Sequence, residues 1–134
     1  MSYRIYDAAQ FANRIGNNEE VVYADIQGNP GTDLPGILLR TAKARQLVEE
    51  LIAVFQERRL IVAAYDTSGA PFYWTAGAFE TAIWSKRSDA RTWLAVNNGK
   101  TVAQMAASLG VHEAIACALA EGLRAEGKAH LVAV

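Results

Sequence analysis

The stretch from Lys100 to Val134 constrains the fold more tightly than any other, because its punctuation and its apolar spacing agree. Thr101 and Gln104 form a Thr-x-x-Gln pair, the spacing at which a hydroxyl and an amide satisfy the free N–H groups that open a helix. Behind that start, Val102, Met105, Ala106 and Leu109 fall at i, i+3, i+4 and i+7, the single buried stripe of a short helix. Gly110 turns the chain and Val111 plugs the corner. A longer helix is expected from about His112 to Glu126, stopped by Gly127 in a left-handed cap. His130 to Val134 then reads as a short strand.

Upstream, Ser88-Asp89 is a helix start, a capping hydroxyl followed by an acid in the first turn. Ala90, Trp93 and Leu94 give the buried spacing, and Asn97-Asn98-Gly99 stops the helix.

This order of helix, tight turn, longer helix, glycine stop and strand, with Ala106-x-x-x-Gly110-Val111 at its corner and Leu123-Arg124-Ala125-Glu126-Gly127 at its end, resembles the helix-turn-helix of bacterial winged-helix regulators. The resemblance covers about residues 88–134. It implies that the helix from His112 lies in the major groove of double-stranded DNA with its early residues at the base edges. The residues it nominates are Lys100, Thr101, His112, Glu113, Cys117, Arg124 and Lys128. Relatives often carry Ser-Arg and further basic or amide residues where this chain has His112, Glu113, Ala114 and Cys117. His112 can donate to a base or phosphate or simply face solvent. Glu113 repels phosphate unless it accepts from a cytosine amino group. Cys117 fits a small buried residue among alanines better than a redox switch.

The remainder of the chain reads as α+β. Asp7 to Ile15 is a short helix ended by Gly16-Asn17-Asn18. Glu20 to Ile26, EVVYADI, is β-rich and expected as a strand. Gly28 to Gly36 packs three glycines and two prolines into nine residues and is expected as a loop. It lacks the Lys-Ser/Thr of a P-loop and the GxGxxG of a dinucleotide turn, so no cofactor is expected.

From about Leu38 to Arg59 a long helix is expected, with Val48, Leu51, Ile52 and Phe55 as its stripe. Its charged side is either a solvated face or a dimer surface. Leu60 to Ala76 reads as a β-hairpin turning at Asp66-Thr67-Ser68-Gly69. Phe72 and Trp74 share one face of it, serving either as core against the long helix or as a platform for unpaired bases. Ala78 to Lys86 is open between helix and irregular chain.

Charge favours no polyanion globally, since the net is -1. Residues 1–85 nevertheless hold seven Lys/Arg against ten Asp/Glu, and residues 86–134 hold six against four. Lys86, Arg87, Arg91, Lys100, Arg124 and Lys128 therefore permit phosphate contact in the C-terminal third. The lone Cys117 excludes an internal disulfide, no spacing marks a metal site, and the longest strongly apolar run, Leu60 to Tyr65, is too short for a bilayer. With no signal-like start in MSYRIYDAAQ, a cytoplasmic location is expected.

His112 and Cys117 lie on different sides of one helix and make no nucleophile and base pair, and catalysis is not expected. The expectation is thus one α+β domain with portions 1–87 and 88–134 packed together. Its sheet combines the hairpin near 60–76 with strands near 20–26 and 130–134. Its expected function is a DNA-binding, regulator-like homo-oligomer, the alternative being a protein-interaction module on the same scaffold.

Overall fold

The computed structural model describes residues 4–133. In order it contains α1 (Ala8–Ile15), α2 (Asn18–Gly28), α3 (Leu34–Thr41), α4 (Arg45–Glu57), β1 (Ile61–Tyr65), β2 (Pro71–Thr75), α5 (Ala76–Val96), α6 (Val102–Leu109) and α7 (Glu113–Ala125). This is a small α+β fold whose sheet, among the described residues, is the antiparallel hairpin β1-β2.

Several expectations are corrected. Residues 20–26 are not a strand but the middle of α2, because Val22 and Ile26 sit four apart and are both fully buried. Tertiary burial of a helical stripe overrides their β preference. The loop expected at 28–36 shrinks to 29–33: Asp33 accepts from the Gly36 N–H at 2.9 Å and Pro35 follows in the first turn, so α3 begins inside the stretch.

The long helix expected over 38–59 is two helices. Ala42 adopts a left-handed conformation (φ 54°) and breaks it, and Ala44 opens α4. The helix expected from Asp89 starts at Ala76, capped by Thr75 directly out of β2, and resolves 78–86 as helix. Residues 130–133 form no strand. Val134 lies outside the described residues.

The hairpin is the partition of the molecule. Its register pairs Val62 with Trp74 and Ala64 with Phe72, and alternate side chains leave by opposite faces. Ile61 and Tyr73 enter a core with Val22, Ile26, Ile37, Val48, Leu51 and Phe55. Ala64 and Trp74, with Phe72, enter a second core built from α5, α6 and α7. Phe72 and Trp74 therefore pack on the C-terminal helices rather than on the long helix, and Trp74, only 4% exposed, offers no platform for bases.

The two cores are surrounded by the same structure twice. Boundaries recur 68 residues later: Leu34–Thr41 becomes Val102–Leu109, and Arg45–Glu57 becomes Glu113–Ala125. Left-handed Ala42 (φ 54°) becomes Gly110 (φ 66°), and Arg59 (φ 59°) becomes Gly127 (φ 73°). Asn29 Nδ2 donates to the Asp25 carbonyl at 2.9 Å, and Asn97 Nδ2 to the Trp93 carbonyl at 3.0 Å. Leu60 N–H reaches the Phe55 carbonyl and Lys128 N–H the Leu123 carbonyl, both at 2.9 Å. Asp7 and Thr75 cap the first helix of each copy. In the first copy that helix is interrupted at Gly16 and becomes α1 and α2; in the second, Trp84 takes the place of Gly16 and α5 runs unbroken. The backbone pattern of residues 7–60 thus recurs over 75–128 as two units, and the hairpin β1-β2 lies between their cores.

Candidate nucleic-acid interface

In the second unit, the nominated Thr101 makes the expected capping box with Gln104: the Gln104 N–H donates to Thr101 Oγ1 at 3.1 Å and the Thr101 N–H to Gln104 Oε1 at 2.8 Å. Gly110, Val111 and His112 then connect α6 to α7, and the chain bends by 109° between the two helices. A three-residue glycine-containing turn at such an angle is the geometry of a helix-turn-helix.

The start of α7 is nonetheless occupied. His112 Nδ1 accepts from the Ala114 N–H at 3.0 Å and so caps the helix. Its ring lies edge-on to Phe72 and Trp74, with centroids 4.4 and 5.4 Å away. Glu113 accepts from the Thr67 N–H at 3.2 Å and from the Thr67 hydroxyl, which ties the hairpin tip to the first turn of α7. Beside this junction, Asp66 is held below the usual carboxylate range, first by the Ser68 hydroxyl and then by the Ala70 N–H.

The other nominated residues are dispersed. Cys117 is half-buried, and burial pushes its thiol up, with Glu113 adding to the effect. A raised thiol is a poor nucleophile at neutral pH. Arg124 is paired with Glu121 at 2.8 Å. Lys100 and Lys128 are exposed, before α6 and after α7. Ala114, Ile115, Ala116, Leu119, Ala120 and Leu123 are all buried within the chain itself, so the apolar side of α7 is already used.

The sequence reading missed the equivalent site in the first unit. Arg45 and Gln46 stand in the first turn of α4, both exposed, with Lys43 half-exposed in the turn before them. Arg45 pairs with Glu49 at 2.8 Å and Gln46 donates to Glu50 at 3.1 Å, each one helical turn on. Glu50 also accepts from the Tyr6 hydroxyl at 2.7 Å. Behind α3, Arg40 holds Asp25 with two bonds of 2.8 and 2.9 Å, bracing α3 against α2 and raising its own guanidinium pKa. The signal that could have revealed this unit is Asp33-Leu34-Pro35, a cap and a first-turn proline lying before the 48-51-52-55 stripe.

Among the described residues, no three His, Cys, Asp or Glu side chains converge on a metal position. Among those residues too, no single helix is long and apolar enough to cross a membrane. A scan against family models and a search of curated proteins returned no match.

Proposed function

We propose that the protein is a non-catalytic, cytoplasmic DNA-binding protein of the helix-turn-helix type, and that it presents α4, not α7, to the duplex. One observation carries the choice of helix. The two helices are equivalent by register, yet where α4 exposes Arg45 and Gln46 the first turn of α7 has Glu113, which is tied to Thr67 of the hairpin, and the buried Ala114. Arginine and glutamine are side chains that form paired hydrogen bonds to guanine and adenine in the major groove, and Lys43 suits a neighbouring phosphate. Binding would require Arg45 to exchange Glu49 for DNA, a modest cost for an exposed ion pair.

The experiment is a fluorescence-polarisation titration with a labelled mixed-sequence duplex over a salt series. Binding should weaken as salt rises. Lys43→Ala together with Arg45→Ala should weaken it further and flatten the salt slope, whereas Arg124→Ala should leave the slope unchanged. Absence of binding at low salt, or equal sensitivity to all three changes, would overturn the proposal.

A further inference from the structure

The two units differ most where Trp84 replaces Gly16, and the difference leaves one feature exposed on each. In the first unit Gly16 lines an open pocket of about 480 Å³ together with Tyr23, Phe55 and Leu60, and with Glu19 and Glu20. Tyr23 and Phe55 meet edge to face at 5.6 Å, so the floor is aromatic. In the second unit the indole of Trp84 projects from an unbroken α5 and is 64% exposed, with the Arg87 guanidinium 4.8 Å from its ring. A large apolar ring left in water is a common anchor of protein interfaces, as is an arginine beside it.

The charges of the two places are inverted. Glu19 is bound to Arg58 at 2.6 Å in the first unit; at the same positions in the second stand Arg87 and Glu126, and Glu126 is bound to Arg91 at 2.7 Å. Lys128 stands where the first unit has Leu60. The first unit thus carries an aromatic socket with Glu19 and Glu20 at it, and the second an exposed indole with Arg87 against its ring.

We propose that the chain associates head to tail with a second copy of itself, Trp84 of one copy entering the Gly16 pocket of the next while Arg87 faces Glu20. The pocket is open and has an aromatic floor for the indole, and Arg87 and Glu20 carry opposite charge. Because the two surfaces are different, the contact is heterologous and builds either a closed ring or a growing chain. The proposal does not depend on DNA binding.

Sedimentation velocity of the full chain over a concentration series tests it, with tryptophan emission recorded in parallel. Concentration-dependent oligomers and a blue shift are expected, both weakened by added salt. Trp84→Ala and Glu20→Arg, both exposed positions that should leave the circular dichroism unchanged, should each weaken association by more than about tenfold. A mixture of the two variants retains one intact indole and one intact socket, and should stop at a one-to-one pair. A wild-type protein monomeric at its highest soluble concentration overturns the proposal. So does association unaffected by Trp84→Ala, or a Trp84→Ala variant that loses only DNA binding.

Discussion

Gly31 and Gly99 occupy the same place in the two units, with φ of 84° and 76°, but only Gly31 lies at the junction between them. A Cβ built at Gly31 would stand 3.2 Å from Trp74 Cζ2 and 3.3 Å from His112 Cδ2, whereas one at Gly99 meets nothing within 4 Å. Replacing either glycine with alanine forces an L residue into the left-handed region, which costs about 1–2 kcal/mol, partly offset by roughly 0.4–1 kcal/mol from a stiffer unfolded chain.

Gly31→Ala adds crowding against Trp74, which is buried and cannot withdraw. Overpacking of this kind costs on the order of 1 kcal/mol or more. Gly31→Ala should therefore lie about 1 kcal/mol or more below Gly99→Ala in urea denaturation, a gap of roughly 3–5 °C in Tm. Tryptophan emission should also change in the native state of the first variant only. Equal destabilisation by the two substitutions would refute the reasoning that Gly31 is packed tightly against Trp74 and His112.

Two further outcomes follow from the site geometry. Thr101→Ala removes the acceptor of the capping box at α6 and should cost about 1 kcal/mol in the same urea assay. The Asp66 carboxylate is lowered by bonds from Ser68 and Ala70, so it stabilises the hairpin turn above the ordinary carboxylate range, near pH 4, and that support is lost as pH falls through the lowered value. Amide exchange at Ser68 and Ala70 should accelerate on that descent, and Asp66→Asn should abolish the dependence.

What the sequence made legible was the unit that uses conventional punctuation. Thr101, Gln104, Gly110 and Gly127 are the residues that caps and left-handed turns select, so α6 and α7 could be placed closely. The first unit has the same backbone with other residues at the same points. Ala42 and Arg59 take left-handed conformations without glycine, and Gly36 lies inside a helix, where it suggested a loop. EVVYADI carries β-branched residues whose helical stripe becomes visible only once Ile37 and Phe55 pack on it.

The duplication was hidden for the same reason, since few residues are identical across it: Ala8 and Ala76, Phe11 and Phe79, Ile15 and Ile83, Asn29 and Asn97, Gly31 and Gly99, Leu51 and Leu119. Of the nominated contact residues, His112 and Glu113 are engaged by the hairpin, at Phe72 and Trp74 and at Thr67, which lie far from them in sequence, so no local pattern could show it.

A ribbon with a core on each face comes apart in a particular way. Ile61 and Tyr73 belong to one core, while Ala64 and Trp74, on the same two strands, belong to the other. Fraying the ribbon for one helical set strips a wall from its neighbour, so neither half reaches a minimum of its own. Heat or denaturant should meet a single cooperative transition rather than two, and a cavity cut beside α4 should be registered in the amide protection of α7.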